Sequence, residues 1–277
     1  MVVYSTNKEL KLMKLIVLIS CMHEKSMDII FRSNIQTDAV VVNQCDKDSV
    51  DEFDFTNIKG EVCHVKFINT TERGLSRSRN MAISNAWGDI CLLADDDEKF
   101  SDNYEDVIIR GFNEIKSEVI AFGFHYTNKD RNNFIKRTKI NWFNFLKICS
   151  VQIAFRRDAI ISHSIKFAEN MGSGTGNGSG EENKFISDCL KGKLSIYAEP
   201  SDIAEINYNA EDSKWFTGYN NEYFIAKGWS IKQAIGIIGG LAFSFVMCYK
   251  NAPVIKEYIN PIRAFYFMLK GIFSNRQ

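Results

Sequence analysis

Short, unbroken apolar runs alternate with stretches of helical spacing through the first half of the chain. Residues 15–20, 39–43, 62–68, 90–94 and 119–124 read as strands, and residues 26–34, 76–86 and 103–116 read as helices. Strands that are apolar at every position are buried on both faces, which is the pattern of a mostly parallel sheet covered by crossover helices. The fold class is therefore α/β. In such sheets ligands sit beyond the carboxyl ends of the strands. The residues there are polar: Ser20 and Cys21, then Asn43, Gln44 and Asp46, then the segment ending in Arg73, then Asp95, Asp96 and Asp97.

From about residue 127 the pattern changes. A basic, aromatic stretch (136–147) precedes a strand-like run (151–156). Residues 172–180 then hold five glycines in nine positions, which predicts a loop, because glycine is costly to fix in a helix or strand. Glu181 and Glu182 open a helix that runs to about residue 191. Near the end, residues 234–249 form a sixteen-residue uncharged run. As a helix it would be roughly 24 Å long, short of the roughly 30 Å of bilayer hydrocarbon. After Pro261, Ile262, Phe265, Tyr266, Leu269, Ile272 and Phe273 fall at helical spacing, with Arg263 and Lys270 on another face. That pattern predicts an amphipathic basic helix lying in a lipid interface, peripheral to the membrane.

Composition narrows the picture. The 277 residues are 45% hydrophobic and 25% charged, which excludes disorder and low complexity. The 34 basic and 34 acidic residues cancel, so no overall charge calls for nucleic acid as a partner. The cancellation conceals a tail. From Gly228 onward six cations stand against one acid, Glu257, a balance of +5. Seven scattered cysteines form no CxxC pair, which argues against a zinc site or a disulfide framework and fits a reducing cytoplasm. The apolar run ahead of Cys21 is too short for a secretory signal core and reads as a first strand. The organisation expected is one domain over 13–227, with halves 13–126 and 127–227, followed by a helical tail over 228–277.

Two clusters carry the candidate chemistry. Three consecutive aspartates, Asp95 to Asp97, close an apolar strand. Their mutual repulsion would be relieved by a hard divalent cation that also binds diphosphate oxygens, although a solvated turn explains them too. Upstream, Arg73-Gly-Leu-Ser-Arg-Ser-Arg79-Asn80 combines a turn glycine, an N-cap serine and three arginines at a helix start. That arrangement suits a polyanion, or pairs the arginines with nearby carboxylates. The glycine run lacks the Gly-Lys-Ser/Thr ending of a P-loop.

Taken in order, residues 73–80, then Ala86-Trp-Gly-Asp-Ile90, then Leu92-Leu-Ala-Asp-Asp-Asp97, resemble the nucleotide-sugar-binding half of family-2 glycosyltransferases with the GT-A fold. The likeness resumes at Gly180-Glu-Glu-Asn-Lys-Phe185. It implies that Ser20, Cys21, Asn43 and Gln44 line a base pocket, with Asp46 standing in for an aspartate pair absent at the second strand. It further implies that Arg73 and Arg79 steady the nucleotide side. Asp95 and Asp97 would bracket the ribose and a Mn²⁺ or Mg²⁺ on the diphosphate, flanked by Asp96. Glu182 occupies the position of the catalytic base, with Glu181 as competitor; either could instead serve the dipole of its helix. The histidine that relatives place downstream is missing from residues 207–216. The implied activity is inverting transfer from a nucleotide sugar, UDP-linked by family preference, to a glycan or lipid-linked hydroxyl. The implied setting is bacterial surface-polysaccharide assembly at the inner membrane face. A sugar nucleotidyltransferase and an inactive membrane-peripheral scaffold are the alternatives.

Overall fold

The computed structural model describes residues 13–128, 134–177, 179–206 and 218–276. Its first half runs β1 (Leu15–Met22), α1 (Ile29–Arg32), β2 (Asp38–Gln44), β3 (Ser49–Thr56), β4 (Val62–Thr70), α2 (Leu75–Asn85) and β5 (Ile90–Asp95). It continues through β6 (Glu98–Phe100), α3 (Tyr104–Glu114), β7 (Val119–Tyr126), β8 (Thr138–Lys139), β9 (Ile153–Arg156) and α4 (Arg157–Ser162). The remainder is α5 (Glu181–Lys191), β10 (Ile196–Ile206), α6 (Asn221–Lys250), α7 (Ala252–Ile255) and α8 (Pro261–Ile272).

Among the described residues one sheet takes the order β3-β4-β2-β1-β5-β9-β7-β10-β6, with β8 beside β10. The four strands that carry most of the polar ends, β4, β2, β1 and β5, are mutually parallel, as the two-sided apolarity of β1, β2 and β5 predicts. Alternate residues point to opposite faces. Val17, Ile19, Val41 and Leu92 pack into one apolar layer, and Ile16, Leu18, Val40 and Leu93 into the other. Each such side chain taken fully out of water stabilises the fold by about 1.5–3 kcal/mol. Register then does the positioning: Ser20 pairs with Asp95, Cys21 with Asn43 and Gln44 with Thr70, so the polar ends are level at one edge.

Several elements depart from the expectation. The helix expected over 26–34 is a single turn, α1, which ends where Asn34 turns to a φ of 52°. β9 lies antiparallel between β5 and β7, so the strand expected from residues beyond 127 enters the sheet against the parallel direction of its neighbours. β3 and β6 are antiparallel additions that the apolar-run pattern did not flag. The expected strand over 151–156 is shorter, with residues 150–152 forming a 3-10 turn. The uncharged run over 234–249 belongs to the longer α6, which runs through the expected junction at 227/228.

α6 is not straight. At Gly236 the backbone takes φ 74° and ψ −179° and the helix breaks. Gly228, before the break, lies so close to the Met268 backbone that a Cβ would collide with it. Cys248, after the break, brings its Sγ to 3.8 Å from the Met268 sulfur. Two positions twenty residues apart would be about 30 Å apart on a straight helix. The two halves of α6 therefore fold back around α8.

Candidate active site

Arg79 is the centre of the arrangement. It lies on α2, only 1% exposed, and reaches from the nucleotide-side strands to the second half of the chain. Its Nη2 donates to Asp95 Oδ1 at 2.9 Å, and its Nη1 donates to Glu181 Oε1 at 3.0 Å. The guanidinium also lies 5.4 Å from the centroid of Phe167, whose ring stacks on Phe185 of α5 at 4.4 Å. Burial opposes its charge, but Asp95 and Glu181 more than offset that, and its pKa is raised. One buried cation thus ties the end of β5 to the start of α5, where Glu181 lies 102 residues beyond Arg79 in sequence.

That pairing separates the environments of the two glutamates. Glu181 is 5% exposed and both its oxygens are engaged: Oε1 by Arg79, and Oε2 by the Gly180 N–H at 3.0 Å. Glu182 has no arginine of its own. Asn183 Nδ2 donates to its Oε1 at 2.6 Å. Burial first, and then the Glu181 charge, push its carboxyl up to about 7, while Lys227 of α6 pulls the other way. Two adjacent carboxylates with divergent environments are the pattern of one structural acid and one poised proton acceptor.

At the end of β5 the acidic run is graded by burial. Asp95 is half-buried, whereas Asp96 and Asp97 are exposed. Desolvation and the neighbouring Asp95 charge raise the Asp96 carboxyl. The next residue, Glu98, is 2% exposed and is raised well above the usual carboxylate range by burial and by Asp95. Its Oε1 accepts the Asp95 backbone N–H at 3.1 Å, and its Oε2 has no hydrogen-bond partner. Among the described residues no group of three or more His, Cys, Asp or Glu side chains is arranged to cage a metal. The available donors are hard carboxylate oxygens, which suit a magnesium-like ion held by one or two carboxylates and completed by substrate phosphates and water.

The expected base-pocket residues stand side by side but are largely occupied by the protein. Ser20 Oγ accepts the Ser78 hydroxyl at 2.9 Å. Asn43 donates to the Glu24 carbonyl at 2.9 Å and to Asn69 Oδ1 at 2.8 Å, and accepts the Glu24 N–H at 2.9 Å. Gln44 Oε1 accepts the Gly74 N–H at 2.7 Å, anchoring the start of α2. Cys21 is buried, and desolvation raises its thiol strongly. Asp46 is exposed and pairs with Arg73 at 2.7 Å. The open space lies just outside these residues: a cleft of about 590 Å³ at the ends of β1 and β2, lined in part by His23, Glu24, Lys25, Asp46, Asp51 and Asn69.

The Gly-rich loop is tied to the start of α2, since Leu75 N–H donates to the Ser173 carbonyl at 3.1 Å and Ser76 Oγ to the Met171 carbonyl at 2.8 Å. The segment 207–216, where the histidine is missing, lies outside the described residues. Glu24, Asn69 and Glu98 lie in the polar segments that follow the strands, where ligands are expected, but the spacing assigned them no individual role; Lys227 was not singled out.

The model of the family described as Glycosyl transferase family 2 matches residues 33–171. Among solved structures, S. aureus TarS 1–349 in complex with UDP is similar with a TM-score of 0.58 at 15% identity, over 87% of this chain and 72% of that one. The complex of S. aureus TarS 1–349 with UDP-GlcNAc gives 0.56 at 15% identity, over 80% and 68%. S. aureus TarS 1–349 alone gives 0.54 at 14% identity over 80% of this chain, which spans 65% of that one. No curated protein sequence matches. At these identities the TarS structures establish a shared fold. The family model covers just over half of the chain, through both the arginine-bearing helix and the acidic strand end, and the chain belongs to glycosyl transferase family 2.

Proposed function

We propose that the protein is an inverting glycosyltransferase that moves a sugar from a nucleotide diphosphate donor to a hydroxyl group of a glycan or lipid-linked glycan. Residues 13–126 hold the nucleotide and residues 127–227 supply the acceptor side. The observation that carries this reading is the Arg79 bridge, which sets the acidic end of β5 and the Glu182 carboxylate on one framework. The cleft beside Asp46 is the nucleotide-base site, and the TarS complexes with UDP and UDP-GlcNAc support a uridine nucleotide there. The protein's own use of Asn43 and Gln44 leaves Asp46, Lys25 and the adjacent main chain to read the base.

Chemically, Glu182 takes the proton of the acceptor hydroxyl as its oxygen attacks the anomeric carbon, and the nucleoside diphosphate leaves from the opposite face. One carboxylate suffices, because a single displacement needs a single base. Glu181, held by Arg79 and Gly180, orients the start of α5. Asp97 and Asp95 would hold a Mg²⁺ or Mn²⁺ ion, which when bound would neutralise charge on the diphosphate. The tail over 228–277 keeps the enzyme peripheral to the inner face of the cell membrane, as in surface-polysaccharide assembly.

Incubating the full chain with a panel of nucleotide sugars tests this reading. Release of nucleoside diphosphate from one donor in the presence of Mn²⁺, and its loss with EDTA, is the expected result. Metal-independent release overturns the metal assignment. Pyrophosphate formation from a nucleoside triphosphate and a sugar phosphate would favour a nucleotidyltransferase. Donor binding without turnover would favour a scaffold.

A further inference from the structure

We infer that the folded-back α6–α8 hairpin is a docking surface for an anionic lipid bilayer, entered to interfacial depth without being crossed. The inference deepens the membrane reading of the tail and rests on it. The hairpin has its own core, in which Phe224, Cys248, Ile255, Ala264 and Met268 are buried. That core leaves a second apolar face uncovered. Ile238, Phe245 and Tyr249 fall at i, i+7 and i+11 on α6 and are 85%, 62% and 76% exposed. Ile262, Tyr266 and Phe273, also exposed, fall at i, i+4 and i+11 along and just beyond α8. Phe245 meets Phe265 of α8 edge to face at 6.3 Å, so the two helices adjoin at this face. Large apolar side chains left exposed outside the internal core on adjoining helices mark a partner surface.

Charge selects the partner. Lys250, Lys256, Arg263 and Lys270 are exposed on the same hairpin, against two acids, Glu257 and Glu222, the latter paired with Arg276. Lys270 Nζ sits 5.1 Å from the Tyr266 ring, so cation and aromatic stripe share an edge, the arrangement that places rings among acyl chains and cations on phosphate headgroups. The same helix settles the depth. α6 has the length and apolarity of a membrane span. Yet Gly228 and Cys248, on either side of the break at Gly236, both touch Met268, so it is no transmembrane rod. The half beyond the break, residues 237–250, is about 21 Å long, too short for the roughly 30 Å hydrocarbon layer. Before the break, Ser230 Oγ donates to the Ser179 carbonyl at 3.0 Å, beside the glutamates of α5. Docking through this hairpin therefore sets the candidate site against the bilayer surface.

Sedimentation of the full chain with vesicles, without donor or acceptor, tests the inference independently of catalysis. Binding to phosphatidylcholine vesicles carrying about 30% phosphatidylglycerol, weak binding to phosphatidylcholine alone, and release by about 0.5 M salt are expected. Replacing Lys250, Arg263 and Lys270 together by glutamine should lower affinity on the order of 100-fold at low salt, at roughly fivefold per cation. An Ile238→Ser, Tyr249→Ser, Ile262→Ser variant with unchanged circular dichroism should lose binding as well. Equal affinity for neutral and anionic vesicles, or none for either, overturns the inference. So does resistance of the membrane-bound protein to carbonate extraction, or a dimer in sedimentation velocity that the serine variant abolishes. Failure of donor turnover would contradict the glycosyltransferase reading and leave this result standing.

Discussion

Glu182→Gln lowers kcat by about 10²–10⁴-fold, the range expected for loss of a positioned general base, while donor affinity and thermal stability stay near those of the wild type. Glutamine keeps the shape and the bond from Asn183 but cannot accept the acceptor proton. The pH dependence gives a second readout. Burial and the Glu181 charge raise the Glu182 carboxyl to about 7. Only the ionised form is a base, so kcat rises with pH, falling about tenfold per unit below pH 6 and levelling off above pH 8. In Glu182→Gln that ascending limb disappears. Steady-state kinetics from pH 5 to 9 on both proteins would check it. An unchanged limb in the variant would assign the titration to another group.

Arg79→Met destabilises the protein by about 3–5 kcal/mol, because it leaves the carboxylates of Asp95 and Glu181 without their common buried cation. Arg79→Lys does little better. A single ammonium cannot form the two-armed bridge that the planar guanidinium makes. Urea unfolding measures the loss. The double variant Arg79→Met, Glu181→Gln should recover part of it, because one of the stranded charges is gone. If Arg79→Met unfolds at the wild-type midpoint, the bridge is not what joins β5 to α5.

The expectation for Arg79 shows both what the sequence made legible and where it stopped. The Arg-Ser-Arg-Asn helix start and the Asp-Asp-Asp strand end were visible as local patterns, because strand apolarity and loop polarity are local properties. That Arg79 is buried, and that it bridges Asp95 to a glutamate 102 positions beyond Arg79 itself, depends on tertiary closure that no spacing encodes. The choice between Glu181 and Glu182 was open for the same reason.

The strands followed the same rule. β1, β2 and β5 are apolar on both faces and were read directly, and β4 was read from its apolar positions although His64 and Lys66 interrupt one face. β3 alternates exposed and half-buried residues around Phe53 and Phe55 at the sheet edge, so it presents no continuous run. β10 contains Pro200 and two register shifts against β7, which hide it from a period-two pattern. In the tail, the basic amphipathic helix was legible from its period. The fold-back of α6 was not, because Gly236 is one of three glycines in Gly236-Ile-Ile-Gly-Gly240 and only packing against α8 decides which of them breaks the helix.

The central claim is a single displacement with Glu182 as base, and its most direct test is the configuration of the sugar first released. Proton NMR of the wild-type enzyme with its α-linked nucleotide sugar, recorded before mutarotation, should show the β-anomer appearing first, or a β-linkage when an acceptor is supplied. The α-anomer appearing first would contradict the account.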